Sequence, residues 1–137
     1  MLIHSRNIYV YETDLMGIVH HSNYLRFCEE ARIEWCRRFI ENKNLDEDSE
    51  FLNQHVYSLT VVSTKVHHKL PLKYPNQFAI DMQSQIDGIR LVFLYKIKNN
   101  VGEICAEVET VHCSVNEKLR PLRLSKDLVA AVQKQNM

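Results

Sequence analysis

The stretch that decides the fold is Ser22-Asn23-Tyr24-Leu25-Arg26-Phe27-Cys28-Glu29-Glu30-Ala31-Arg32-Ile33-Glu34-Trp35-Cys36-Arg37-Arg38-Phe39-Ile40-Glu41. Within it Tyr24, Phe27, Cys28, Ala31, Trp35, Cys36 and Phe39 recur at spacings of three and four. At about 3.6 residues per turn these positions form one broad apolar stripe on a helix. Arg26, Glu30, Arg37 and Arg38 lie mostly off the stripe, and Ser22 or Asn23 is expected to cap the first exposed amides. A helix with one apolar stripe has to bury it against a large apolar surface.

That surface is read from the sequence on either side. After a polar, acidic connection over 42–55, expected on the surface with at most a short helical turn, the chain alternates every second residue. Val62, Thr64, Val66 and His68 fall on one face of a strand, with Val61, Ser63 and Lys65 opposite. Phe78, Ile80, Met82, Ser84 and Ile86 mark a second strand. Leu91, Phe93, Tyr95 and Ile97 mark a third. Ile104, Ala106, Val108, Thr110 and His112 mark a fourth. Asp87-Gly88 is a hairpin turn signal, and Asn99-Asn100-Val101-Gly102 is another, so these neighbours are expected to run antiparallel as a meander. Before the helix, residues 5–11 are rich in β-formers and predict a first strand, with a loop over 12–22. Ser125 is expected to open a short C-terminal helix through Leu128, Val129 and Val132. The expectation is an α+β fold, one long helix against a curved antiparallel sheet of about five strands, in a single domain spanning 1–137.

Composition narrows the functional classes. The chain has 137 residues, 17 Lys plus Arg, 17 Asp plus Glu, and a formal net charge of zero. Such a balance provides no polybasic field for nucleic acid or an anionic membrane, so nucleic-acid partners are not expected. No apolar run reaches the length of a membrane span, and Met1-Leu2-Ile3-His4-Ser5-Arg6 lacks the apolar core of a signal peptide. Cys28, Cys36, Cys105 and Cys113 form no CxxC pair and are expected to be reduced packing residues in cytoplasm.

Three clusters carry candidate chemistry. The first is Tyr11-Glu12-Thr13-Asp14-Leu15-Met16-Gly17-Ile18-Val19-His20-His21-Ser22-Asn23-Tyr24. It joins a carboxylate, a glycine, two histidines and a helix N-terminus, where free N–H groups and the dipole favour an oxyanion. A carboxylate there suits attack on a thioester or activation of water. Spacing alone leaves a second reading open, in which Asp14 caps a turn and the histidines pack on the helix start. The second cluster, His67-His68, points to opposite faces of a strand and suits no shared metal. The third comprises Lys69-Leu70-Pro71-Leu72-Lys73-Tyr74-Pro75 and Lys118-Leu119-Arg120-Pro121-Leu122-Arg123. Its cations are read either as a phosphate site or as solvated turn residues.

The segment Thr13 to Leu25, continued by Glu29-Glu30-Ala31-Arg32, resembles the signature of the 4-hydroxybenzoyl-CoA thioesterase family. The resemblance is nearest to its branch of small bacterial acyl-CoA thioesterases associated with the Tol-Pal cluster. Pro71-Leu72-Lys73-Tyr74 and Asn116-Glu117-Lys118-Leu119-Arg120-Pro121 resemble two of the family's turns. This resemblance implies the hotdog fold. It also implies a homo-oligomer, dimer or homotetramer, with active sites at the subunit interface and no metal or prosthetic group. It implies that Asp14 is the catalytic nucleophile or general base. The N–H of His21 would polarise the thioester carbonyl, and the His21 ring would bind or orient substrate. Gly17, Val19 and Asn23 fall in the motif that shapes the substrate loop, and Lys69, Lys73 and Arg120 are the cations placed near the CoA phosphates. The chain departs from the pattern at Val10, where the branch often has Tyr. It departs again at Leu15 and Met16, where the family prefers small residues or proline, and this points to a bulkier, more apolar acyl pocket. Helix carboxylates Glu29, Glu30 and Glu34 are further candidates, because another hotdog branch takes its carboxylate from the helix. The expected activity is hydrolysis of acyl-CoA to free acid and CoA. The alternatives are hydrolysis of a thioester on acyl carrier protein, or a hotdog module that binds acyl-CoA or a partner without turnover.

Overall fold

The computed structural model describes residues 1–42 and 59–135. The elements run β1 (Leu2–Asn7), a 3-10 turn (Val10–Glu12), α1 (Ser22–Asn42) and β2 (Leu59–His68), then β3 (Gln77–Asp87), β4 (Arg90–Lys98) and β5 (Ile104–Val115), and finally β6 (Pro121–Leu122) and α2 (Lys126–Gln135). The long helix thus falls where its apolar period places it. The connection expected over 42–55 lies, beyond Asn42, outside the described residues. The first strand begins earlier than the β-formers suggest. Val10-Tyr11-Glu12, expected as strand, is a 3-10 turn whose Glu12 and Thr13 N–H groups donate to the carbonyls of Tyr9 and Val10.

Strand order is β1-β3-β4-β5-β2, with β6 paired to β5. Only β3, β4 and β5 form the expected meander. β1 pairs antiparallel with β3, Ser5 opposite Ala79 and Asn7 opposite Gln77. β2 takes the far end beside β5 rather than joining β3, a correction to a four-strand meander. The bonds Thr60 Oγ1 to Cys113 O and Lys69 N to Cys105 O pair rising with falling numbers, so β2 also runs antiparallel. Its end position explains a second difference. The alternating sequence of β2 does not bury a face, and Val61 and Val62 are both exposed. Nothing in an alternating pattern says whether a layer covers the apolar side.

By contacts the chain forms two compact units. The first comprises Met1–Trp35, Val66–Gln83 and Leu94–Val108; the second comprises Cys36–Lys65, Ser84–Phe93 and Glu109–Met137. In the first, Phe27 and Ala31 of α1 are fully buried, and the Phe27 ring stacks on Phe78 of β3 at 4.2 Å between centroids. Offset aromatic contacts of this kind add to the apolar area they bury. Asp81 and Lys98 form an ion pair, and that contact, together with the nearby positive charges, holds the Asp81 carboxyl below its usual range. In the second unit, α2 begins as expected at Ser125, whose Oγ accepts the Leu128 N–H at 3.1 Å. Leu128 and Val132 are buried, and the Ser84 hydroxyl bonds to the side chain of Gln135. His112 and Thr110 of β5 are hydrogen-bonded at 2.9 Å, with His112 edge-on to Phe93. The four cysteines carry free thiols, three buried and Cys36 half-buried.

Phe27→Ala removes a fully enclosed ring and leaves a cavity under Phe78. Chemical denaturation of this variant is expected to show a loss of about 3–5 kcal/mol. A loss under about 1 kcal/mol would contradict this packing.

Candidate functional site

The candidate loop is built on a charge cluster that the pattern of the sequence did not disclose. Arg6 projects from β1 on the same side as His4, two residues earlier. Its guanidinium is bidentate to Glu12, Nη1 to Oε1 at 2.8 Å and Nη2 to Oε2 at 2.7 Å. It also donates from Nε and Nη2 to Glu30 of α1, at 2.7 and 2.9 Å. His4 Nε2 bonds the same carboxylate at 2.9 Å. Apolar rings close the cluster: the guanidinium carbon lies 4.5, 5.1 and 5.0 Å from the ring centroids of Tyr9, Phe27 and Phe78. Planar forks of this kind match carboxylates, and shielding from water strengthens them.

The ionisation of the cluster follows from these contacts. Hydrogen bonds from Arg6 to Glu12 and then Glu30 hold the guanidinium further above its ordinary value. Burial pushes the Glu12 carboxyl up, but Arg6 and the Tyr9 N–H more than offset this, so its pKa lies below the ordinary 4.5. For Glu30, burial again acts upward, and Arg6 and His4 bring the net value below 4.5. Glu30 is thus engaged by both Arg6 and His4.

Glu12 organises the loop that leads from it to the helix. The Tyr9 N–H donates to Glu12 Oε1 at 2.8 Å. The main-chain carbonyl of Glu12 accepts the His20 N–H at 2.9 Å and the Asn23 Nδ2 at 2.8 Å. Residues 13–19 fold back between those two anchors, with Thr13 bridged to Val19 and Ile18 bridged to Lys73. Asp14 N–H donates to Ile18 O at 2.8 Å, and Gly17 N–H to Asp14 O at 3.2 Å. Gly17 takes φ +74°, a left-handed conformation that glycine adopts without a Cβ penalty. The turn before β3 supports the loop: Val19 N–H donates to Leu72 O at 2.8 Å and Tyr74 N–H to Gly17 O at 3.0 Å.

Within this frame Asp14 is exposed. Its Oδ1 accepts the N–H groups of Met16 at 2.8 Å and Ile18 at 3.3 Å. The carboxylate therefore caps its own turn through one oxygen, while the other makes no hydrogen bond among the described residues. His21 is exposed just before α1, and its N–H has no partner among the described residues. Its ring lies 4.3 Å from that of His20. The helix cap is not Ser22 or Asn23 as expected. His20 Nδ1 accepts the Ser22 N–H at 3.2 Å and pairs with Ser22 Oγ at 2.8 Å, which places the ring proton on Nε2. The Asn23 side chain is instead buried and spent on Glu12. A histidine cap is outside the usual set of capping residues, and composition alone does not signal it.

The structure thus brings together Asp14, Gly17, Val19, His21 and Asn23, with Lys73 attached through its bridge to Ile18. Val19 is buried beneath the loop. Lys73 is exposed and lines an open cleft of about 250 Å³ with Leu72, Asn76, Asn99 and Glu103. Lys69 is ion-paired with Glu107 at 3.2 Å. Arg120 belongs to the other contact unit, in a turn where its N–H and carbonyl bond to Asn116. His68 lies edge-on to Tyr24 at 4.7 Å. Two large apolar side chains follow Asp14 into solvent, Leu15 at 107 % and Met16 at 81 % relative exposure.

Residues 9–132 match the family model described as the thioesterase-like superfamily. A protein of Aquifex aeolicus is 33 % identical over 117 residues, covering 82 % of this chain and 84 % of that one. The acyl-CoA thioester hydrolase YbgC of Escherichia coli is 28 % identical over 127 residues, 90 % of this chain and 89 % of that one. A hypothetical protein of Thermus thermophilus superposes with a TM-score of 0.79 at 25 % identity, covering 98 % and 99 % of the two chains.

The lowered values of Glu12 and Glu30 set an acid limit on stability. Each contribution is present in full above the ordinary glutamate value of 4.5 and is lost as the pH falls through the lower folded value. Unfolding free energy measured against pH is expected to decline below about 4.5, and less steeply in Glu30→Gln. An unchanged slope in that variant would contradict the pairing.

Proposed function

The chain belongs to the thioesterase-like superfamily and has the hotdog fold, and from that premise we propose that it hydrolyses acyl-CoA to free acid and CoA. The observation that carries the reading is that one loop holds two groups with no hydrogen bond among the described residues: the second oxygen of Asp14 and the N–H of His21 at the start of α1. The named activity of the Escherichia coli relative supports acyl-CoA as the substrate.

In this reading the thioester oxygen accepts the His21 N–H, at the positive end of the helix, as negative charge develops on it. Asp14 either attacks the carbonyl carbon itself, expelling thiolate and leaving an acyl–aspartyl anhydride that water then cleaves to the free acid, or draws a proton from an attacking water. On the water route, oxygen bonds to carbon and the C–S bond breaks. CoA leaves as thiolate and recovers the proton taken up by Asp14. The His21 ring contacts and orients the substrate. Gly17 and Val19 keep the loop in the shape that presents Asp14, and Asn23 secures the helix entry.

The CoA phosphates are assigned to Lys73 and Lys69, and Arg120, in the other unit, is left out of that assignment. Lys73 is the best supported, because its main chain bridges the catalytic loop and it makes no ion pair among the described residues. Lys69 would have to exchange Glu107 for phosphate. Leu15 and Met16 provide apolar surface beside Asp14 for an acyl chain.

We read 1–137 as one catalytic domain, because α1, β2, β3, β4 and β5 each run through both contact units. We also assign it a homo-oligomer, dimer or tetramer, with the active site at the subunit interface. The exposed end strand β2, with Val61 and Val62 outward, supports this, since bare strand edges with apolar side chains invite pairing. Four free thiols support a reducing, cytoplasmic setting. No helix among the described residues is long and apolar enough to cross a membrane.

Thiol release from a short-to-long acyl-CoA panel, run beside acyl carrier protein thioesters, tests the reading. Asp14→Asn keeps the Oδ1 acceptor but removes the charge, and kcat is expected to fall by at least about 100-fold. Full activity in that variant would overturn the role of Asp14. Tight acyl-CoA binding with no thiol release by the wild type would make the protein a binding module. Light scattering is expected to give at least twice the mass of one chain.

A further inference from the structure

We infer that Glu12, clamped by Arg6, is a positioning residue that sets the geometry between Asp14 and the His21 N–H. The inference rests on the hydrolytic reading proposed for this loop and names a residue which that reading does not use. Three observations carry it.

The first is that one carbonyl oxygen holds both sides of the proposed oxyanion donor. Glu12 O accepts the His20 N–H at 2.9 Å and Asn23 Nδ2 at 2.8 Å. Residues 20 and 23 are thereby pinned to a single atom, and the His21 amide lies on the short piece of chain between them. The second is that the same residue anchors the other arm of the loop. Glu12 N–H donates to Tyr9 O at 3.0 Å, Glu12 Oε1 accepts the Tyr9 N–H at 2.8 Å, and Asp14 follows two residues later. A displacement of Glu12 therefore moves carboxylate and donor relative to each other.

The third is the cost of moving it. Glu12 is buried, and its carboxylate receives both prongs of a guanidinium that is itself held by Glu30 and by three aromatic rings. Breaking one side of a buried pair leaves an uncompensated charge, so the pair resists displacement more than a neutral turn would. The interaction is placed where rigidity is useful for chemistry, because reacting groups misplaced by an ångström lose about 100-fold in rate.

Glu12→Gln keeps an acceptor for the Tyr9 N–H but cannot satisfy both prongs of Arg6. Its kcat on acyl-CoA is expected to fall about 10- to 100-fold with KM within about twofold, because the loss lies in alignment rather than in binding. Glu12→Asp, which keeps the charge, is expected to recover part of kcat. Glu30→Gln removes the other partner of Arg6 without touching the loop. It is expected to lose stability and to lower kcat clearly less than Glu12→Gln does, because Arg6 keeps both prongs on Glu12. Unchanged kcat in Glu12→Gln overturns the inference, and so do equal kcat losses in Glu12→Gln and Glu30→Gln, which would mark general destabilisation.

If Glu12→Gln does not fold, Asn23→Ser decides. It removes one of the two bonds to Glu12 O, and a wild-type kcat there overturns the inference. Asp14→Asn, run in parallel, separates the two levels. Full activity in that variant overturns the hydrolytic reading and this inference with it. Its inactivity beside an unaffected Glu12→Gln overturns this inference alone.

Discussion

The guanidinium of Arg6 sits between two carboxylates and three aromatic rings, and the rest of the candidate site depends on that arrangement. A cation in such a place is tolerated because its fork is answered on both sides and its faces lie on rings. The cluster joins three consecutive pieces of the fold: β1 through Arg6, the 3-10 turn through Glu12 and α1 through Glu30. It acts at the point where the chain leaves the sheet edge, folds back over residues 13–19 and enters the long helix. A hydrophobic contact there would pack equally well, but it would set no direction for the Glu12 carbonyl. Directionality is what the hydrogen-bonded pair adds.

At Asp14 the structural role and the proposed chemical one would fall to different oxygens. One of its oxygens holds the turn through the N–H groups of Met16 and Ile18, as the plain reading of a loop aspartate would have it. That commitment holds one oxygen and leaves the second without a hydrogen bond among the described residues. The same economy holds at the helix start. His20 supplies the cap with its ring and the Asn23 amide is drawn inward, and the His21 N–H is left without a partner among the described residues. The loop achieves this with Gly17 in a left-handed conformation at its tip and two backbone bonds to the turn before β3.

How much of this could be read from the sequence depends on the range of the interactions involved. The long helix was legible because Tyr24, Phe27, Cys28, Ala31, Trp35, Cys36 and Phe39 report one environment at a fixed local period; all are buried except Cys36, which is half-buried. The hairpins at Asp87-Gly88 and Asn99 to Gly102 were legible because their turn chemistry is local, and both glycines adopt positive φ. The place of β2 was not legible. Alternation in Val62, Thr64 and Val66 reports a strand but not its neighbour, and the partner proved to be β5. The grouping of Asp14, Gly17, His21 and Asn23 was legible as a motif. The cluster that supports them was not, because Arg6 and Glu30 are 24 positions apart and meet only in the folded chain. The pairing of His4 and Arg6 on one strand face was the available hint, and it required the strand to begin before Ser5.

Cys28 has a consequence for how the protein is handled. Burial in α1 pushes its thiol up to about 12. At neutral pH the reactive thiolate is then about one part in 100,000 of that side chain. Reagents that count free CoA by its sulfur will therefore not be consumed by Cys28 while the helix stays packed. With the half-buried Cys36 replaced, a slow increment of colour after the substrate is spent would instead report the core opening, so the same trace would record turnover first and the lifetime of the fold afterwards.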